Sequence, residues 1–452
     1  MQNRKGFVES PAWPLGHLFL LTLLAIQPLA PWASTPCQPS SFASARLQPV
    51  SFLIMQIRWT PYPWVCFSMC VGVMGTALAS PLYPLYQSAW QLQTSDITLV
   101  YTVYMAGALL SLLMLGRLSD QMGFVRVLRW GLVLVTAGSI LTAASWNFLS
   151  FSVARILVGV ASGMITTSAS LGLTQLNNKG DLQRAAATTS LTIAMGFGIG
   201  PVVGGLIAQW LPAPLVTAYL PSIVLGLLAI FALGPIGEQL PPPAKADDAK
   251  PHSWLPQIIL PPAELRRYYL LAGMCAFLAF GAFSLYASLA PSFMNRMVPW
   301  HGPAVSGISL GLILFLSAGF QFLARRRNSR WCAQTGLIAL CVSMLVLLLN
   351  NYAGSSILFI VSVLTAAMGH GLCNIGGMSL VNRIATNQNR SGLVATYLVI
   401  GYIGSMLPIM GLGWMADHIG LPTALPIYCG VMSALTGWIL WSIFRLPSLK
   451  QT

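Results

Sequence analysis

Twelve apolar runs follow one another from Tyr62 to near the end of the chain. They lie near 63–86, 97–115, 127–146, 149–173, 186–210, 215–236, 268–292, 303–324, 331–350, 355–380, 393–415 and 421–445. A run of about 20 apolar residues matches the ~30 Å hydrocarbon core of a bilayer. Lipid offers no partner to backbone N–H and C=O groups, so a spanning segment must be a helix or a strand of a closed barrel. These runs are continuous rather than alternating, which selects helices. Composition agrees: 56% of the residues are hydrophobic and 7% charged, where a soluble domain carries about a quarter charged. The expected fold class is an all-α integral membrane protein, with twelve transmembrane helices in two six-helix pseudo-symmetric halves.

The formal charge of +14 could suggest nucleic acid, but its placement argues otherwise. Arg117, Arg126, Arg129, Lys179, Arg184, Lys245, Lys250, Arg266, Arg267, Arg325, Arg326, Arg327, Arg330, Arg383 and Arg390 fall in one alternate set of loops. The other set holds Arg296 and little else. That is the positive-inside signature. It predicts a multi-pass cell-membrane protein, of the bacterial inner membrane type, with both termini cytoplasmic. Trp64, Trp90, Trp130, Trp146, Trp210, Trp331, Trp414 and Trp441 fall at run ends, as an interfacial belt requires.

The organisation follows from the loops. Residues 1–61 form an extension read as poorly ordered or dispensable. Its Leu15–Ala33 stretch resembles a signal peptide, but cleavage there would place the new terminus outside, against the loop charges; Met55 is an alternative start. Residues 62–236 form the first six-helix half, 237–267 a Pro- and charge-rich cytoplasmic linker, 268–446 the second half and 447–452 a short cytoplasmic tail. One element repeats between the halves. Arg184 precedes Pro201 by 17 residues and Arg390 precedes Pro408 by 18; a glycine follows each proline by three. Parallel six-helix repeats place a transporter's site at their interface. Cys66 and Cys70 lie one turn apart without His or carboxylate neighbours, so no metal site is expected. Cys37 and Cys429 are the cysteines expected near an outer surface.

Three segments carry a family likeness. Gly116-Arg-Leu-Ser-Asp120-Gln-Met-Gly123-Phe-Val-Arg126 resembles the signature loop of the major facilitator superfamily. Its Gly, Leu, Asp and Gly positions match, while Gln121 and Phe124 stand where the family has basic residues. The glycines allow a tight turn and close approach. The resemblance implies that Asp120 meets the N-terminus of the eleventh helix when the cytoplasmic side is shut; a carboxylate is stabilised there by the helix dipole. Arg155-Ile-Leu-Val158-Gly159 resembles the family's fourth-helix motif, with Val158 in place of Gln. An arginine two turns inside a membrane helix usually faces the bundle interior, although snorkelling to the surface is the alternative. Gly196-Phe-Gly198-Ile-Gly200-Pro201-Val-Val-Gly204-Gly205 resembles the fifth-helix motif of the family's exporters, the drug:proton antiporter type. Glycines every fourth residue give a smooth packing face, and Pro201 removes a backbone donor.

The chain departs from proton-coupled exporters in having no acid within its apolar runs. Asp96, after Thr94-Ser95, reads as a helix N-terminal cap residue. His370 and Asn374, one turn apart in the tenth run, fall on a helix that lines the cavity in the family, and histidine titrates near neutral pH. Asn382 and Gln321 fall nearer the cytoplasmic ends and carry less. Arg155, His370 and Asn374 are therefore the candidate cavity or coupling residues. With no acid inside, the expected substrate is neutral or anionic. The expected function is secondary active export of a small molecule, with protons as the coupling ion, by alternating access; uptake symport is the alternative. A membrane-embedded enzyme needs paired acids or a nucleophile cluster, which nothing supplies, and no appended domain supports a sensor. The expected partners are the lipid bilayer, the small-molecule substrate and protons. No cofactor, nucleic acid or second subunit is expected.

Overall fold

The computed structural model describes residues 60–116, 118–177, 182–239, 258–294, 297–300, 302–386 and 389–445. The side chains of 120, 182, 183, 238, 239 and 391 fall outside that description. So do the extension with Met55, Leu15–Ala33 and Cys37, most of the linker, Arg296 and the tail.

Among the described residues are twelve helices long and apolar enough to cross a membrane. They are α1 (Pro61–Trp90), α2 (Thr94–Met114), α3 (Phe124–Ala143), α4 (Phe148–Gln175), α5 (Leu182–Trp210), α6 (Leu220–Gln239), α7 (Ala263–Ser288), α8 (Pro303–Ala324), α9 (Ser329–Ala353), α10 (Ser356–Ile384), α11 (Arg390–Ile419) and α12 (Leu421–Arg445). They form two pseudo-symmetric halves, α1–α6 and α7–α12. For brevity, the side on which α1 begins and α12 ends is the basic face, and the other is the far face.

The expected runs reappear within a few residues, and local chemistry sets the differences. The first span is not one helix: Pro61–Ala77 gives way to a 3-10 turn at Ser80–Leu82 and a second helix at Tyr83–Trp90. Pro81 cannot donate to the carbonyl one turn back, so the α-helical ladder stops there. α3 starts and ends three residues before its run. Gly123 turns the chain with φ 83°, and at the other end Asn147 caps α4 by accepting from Ser150 N at 2.8 Å. α7 starts early, taking Glu264, Arg266 and Arg267 into its first turns. The acid there suits a helix N-terminus. Just before it, Ile259 exchanges two bonds with Thr396 of α11, at 3.0 and 3.1 Å.

The tryptophans divide: Trp90 packs edge-on against Phe151 within the bundle, while others stand on its surface. Trp146 and Trp210 are 69% and 70% exposed, on surface that lipid and headgroups cover. Cys429 is fully buried in α12 against the core, because it sits two turns inside the helix rather than at its end; the outer-surface expectation for it fails.

The halves touch along two seams. α5 runs against α8: a Cβ on Gly205 would overlap the Pro303 carbonyl, and one on Gly311 would come within 2.9 Å of Gly198 O. α2 runs against α11, where Tyr101 and Ser405 hydroxyls lie 3.2 Å apart. At the far face Ser292 Oγ donates to Gln87 Oε1 at 3.4 Å, and Ala304 N donates to Gln209 Oε1 at 3.5 Å. These hydrogen bonds lie from mid-membrane to the far face, and there one buried apolar cluster joins both halves; toward the basic face the clusters are separate, each within one half. Toward the basic face, Arg184, Ala186, Ala187, Ser190 and Leu191 of α5 are exposed. The bundle is shut at the far face and parted at the basic face.

Candidate functional site

The expected site residues fall into four separate places. In the first half, Arg155 lies two turns into α4 and is 2% exposed. Its Nη1 donates to Thr76 O at 3.3 Å, where α1 passes. Its guanidinium lies 4.4 Å from the centre of the Tyr104 ring. No carboxylate is among its partners, and its Nε is buried without one. The Tyr83 hydroxyl, fully buried, lies beside the guanidinium. Tyr86 stacks on Phe151 at 4.2 Å, and Trp90 and Tyr83 meet the same ring edge-on. Arg155 is therefore a caged interior cation, not a snorkelling anchor. The aromatic cage was not foreseen, because its rings come from α1, α2 and α4 at unrelated spacings.

In the second half, His370 and Asn374 come together as their one-turn spacing predicts. Asn374 Nδ2 faces His370 Nε2 at 3.2 Å. An amide N–H can only donate, so that ring nitrogen accepts and Nδ1 carries the proton. Nδ1 then donates to Ser317 Oγ of α8 at 2.8 Å. Gln321 Nε2 donates to the same oxygen at 3.3 Å, so Gln321 belongs to this network and not merely to a helix end. Asn382 does lie at the basic face, accepting from Arg390 Nε at 3.2 Å. Phe280 and Phe283 of α7 flank the imidazole at 6.0 and 5.5 Å, and Tyr402 meets Phe280 edge-on. His370, Asn374, Phe280, Phe283 and Tyr402 are all half-buried. They form a polar notch in an aromatic wall. Among the described contacts none joins His370 to Arg155, so the three candidate cavity residues fall in two places, one per half.

The glycine motif of α5 has two faces. Added Cβ atoms at Gly196, Gly200 and Gly204 would run into Cys70 O, Met74 O and Leu78 O, successive turns of α1. Gly198, Pro201 and Gly205 face α8 across the seam, meeting Phe315, Gly307 and Pro303. One face of α5 thus holds its own half together, and the other meets the opposite half. The related element in α11 matches only in part. A Cβ at Gly404 would overlap Phe277 of α7, but Gly411 is exposed with nothing within 4 Å.

In the loop after α2, Leu118–Met122 forms a short helix and Gly123 makes the left-handed turn into α3. Gly116 has no positive φ; it packs against its own last turn, with Thr167 of α4 3.7 Å from where a Cβ would sit. Arg126 is exposed on α3. The Asp120 side chain lies outside the described ones.

Comparison with known proteins follows from this architecture. The family model described as Major Facilitator Superfamily matches residues 65–407. The riboflavin transporter RibZ of Clostridioides difficile is 25% identical over 181 residues, 39% of this chain. This chain spans 38% of that relative's length, and 41% of the length of the quinolone resistance protein NorA of Staphylococcus aureus, to which it is 24% identical. A probable 4-methylmuconolactone transporter of Cupriavidus pinatubonensis matches over 86% of this chain and 90% of its own, at 22% identity. Among solved structures, a nucleoside transporter superposes with a TM-score of 0.68 over 86% of this chain and all of its own, at 12% identity. A bacterial homologue of the lysosomal transporter Spinster gives 0.66 over 86% and 98%, at 14%.

Proposed function

From the premise that this chain belongs to the major facilitator superfamily, and is a multi-pass membrane transporter rather than an enzyme, we propose that it exports a small neutral or anionic molecule in exchange for protons. The observation that carries the export reading is α5. Its Gly-Pro-x-x-Gly-Gly string places backbone against backbone on both α1 and α8. A helix so smooth on two sides can serve both as a wall of its half and as the surface on which the halves move.

The substrate class rests on charge. Arg155 is buried with no carboxylate to neutralise it, and the histidine notch holds no acid. A lipophilic cation would meet an unfavourable field in such an interior. The aromatic wall around His370 offers π-faces to a planar group, while Ser317, Asn374 and Gln321 offer hydrogen bonds. We assign the basic face to the cytoplasm, with a bacterial inner membrane as the setting, so that the structure is open inward. The working unit is a monomer, divided as 1–61, 62–236, 237–267, 268–446 and 447–452. Curated relatives are named a riboflavin transporter and a quinolone resistance protein; neither name carries a direction, so direction needs its own test. Everted vesicles loaded with this protein should take up a planar anionic substrate when their lumen is acidified. Uptake driven only by a gradient in right-side-out vesicles would replace export with symport.

A further inference from the structure

The gate loop has a second copy. Gly116-x-x-Ser-Asp120-x-x-Gly123 follows α2, and Gly413-x-x-Ala-Asp417-x-x-Gly420 ends α11, with glycine, aspartate and glycine at the same spacing. The closing glycines share one backbone conformation: φ 83°, ψ 141° at Gly123 and φ 78°, ψ 146° at Gly420. Side chains rarely adopt that region. Each glycine leads at once into the next helix, α3 or α12. α2 ends at the basic face and α11 at the far face, so the two copies sit at opposite ends of one seam.

The far-face copy is engaged. Asp417 Oδ1 accepts from Thr94 N at 2.9 Å and Ser95 N at 3.3 Å, and Oδ2 accepts from Ser95 N at 3.2 Å. These amides belong to the first turn of α2, where no carbonyl of the helix can reach them and the dipole favours a negative charge. The acid that α2 itself carries there, Asp96, is committed to Gln93 N at 2.9 Å. One turn before Asp417, a Cβ on Gly413 would overlap the Thr98 hydroxyl and approach Ser95 Cα to 3.1 Å. The aspartate reaches α2 because the glycine lets the helices close.

We propose that Gly413–Gly420 is a second gate loop and that Asp417 is the positioning residue holding the far face shut. It does at that end, and in this state, what the family resemblance assigns to Asp120 at the other. α2 and α11 then form a reciprocal pair: Asp417 holds the N-terminus of α2 in this state, and the resemblance gives Asp120 the N-terminus of α11 in the other, one contact made as the other breaks. Opening the far face must return a half-buried carboxylate and two helix amides to water.

This inference rests on the alternating-access reading, and the test separates the two. Spin labels go on Ala89→Cys and Ile419→Cys, both exposed at the far face, in an otherwise cysteine-replaced full chain that still transports. The protein is reconstituted in lipid nanodiscs, and pulsed electron resonance reads the distance distribution. Asp417→Asn keeps the shape and removes the charge. It should raise the ratio of far-open to far-closed molecules about tenfold, the equivalent of one charge-assisted bond. Asp417→Glu should restore most of the closed population. Gly413→Leu wedges the seam apart whatever the charge and should open it further. If Gly413→Leu lengthens the distance while Asp417→Asn leaves it at the wild-type value, alternating access stands and the carboxylate clasp is wrong. If no variant moves the distance, the far face does not open and both readings fall.

Discussion

At the scale of single residues, the feature that needs explaining is a buried cation without an anion. Burying a guanidinium is costly unless its N–H groups are satisfied and its charge is met. Arg155 has one carbonyl, the face of the Tyr104 ring and the Tyr83 hydroxyl beside it. A desolvated cation–π contact contributes about 2 kcal/mol, so Tyr104 carries much of what keeps Arg155 in place. Tyr104→Phe retains the ring and should leave thermal stability in detergent within about 0.5 kcal/mol of wild type, whereas Tyr104→Leu should cost about 1–2 kcal/mol. Arg155→Lys keeps the charge but replaces the planar fork with a point donor. It should lower transport about tenfold while the protein still folds, and unchanged transport of every candidate substrate would remove Arg155 from the mechanism. In the second half, Ser317→Ala frees the His370 ring to turn. The expected result is weaker apparent substrate affinity with little loss of maximal rate, read in the same vesicle assay.

The sequence makes these residues visible to different degrees. Arg155 is legible as a charge where charges are expensive, and His370 with Asn374 as two polar residues on one helical face. Ser317 and Gln321 are not legible as their partners, because they lie on another helix about 50 residues away. Tyr83 and Tyr104 look like ordinary apolar-run aromatics until the cage around Arg155 is seen. The spacing of Gly413, Asp417 and Gly420 is plain in the chain, but only its contact with Thr94 and Ser95 gives it a meaning.

At the scale of elements, the twelve spans are legible because length and apolarity decide them with little competition. The exceptions are local: Pro81 breaks α1, and Gly123 sets the start of α3. Partners are the illegible part. The α5 motif reads as one smooth face, and the structure gives it two. Glycines 196, 200 and 204 act within a half; 198 and 205 act between halves. Gly200→Val should therefore damage folding, with low yield and aggregation on gel filtration. Gly205→Val should spare folding and pry open the far face. Equal loss of folded protein in both variants would show that α8 is as integral to the first half as α1.

At the scale of the whole molecule, the prediction is orientation. A pH-independent fluorescent reporter fused after the last residue should lie in the cytoplasm, where an externally added quencher cannot reach it. A periplasmic signal would reverse the assignment of the basic face, and with it the sense in which the structure is open. The two-half architecture and its loops of unequal charge are readable from the chain. The state of the gate is not, because both states use the same helices.

The seam between α5 and α8 has a mechanical consequence. Interlocked side chains behave as meshed teeth, which must be withdrawn through strained rotamers before two surfaces can part. Between α5 and α8 few such teeth stand: Phe315 seats against Gly198 and Val202 against Gly311, while Gly205 meets Pro303 and Gly307 meets Pro201 backbone to backbone. The joint is a bearing that is plain toward the far face, at Gly205 and Gly307, and keyed further in by Phe315 and Val202, so one half can roll over the other only as those two side chains leave their glycine seats.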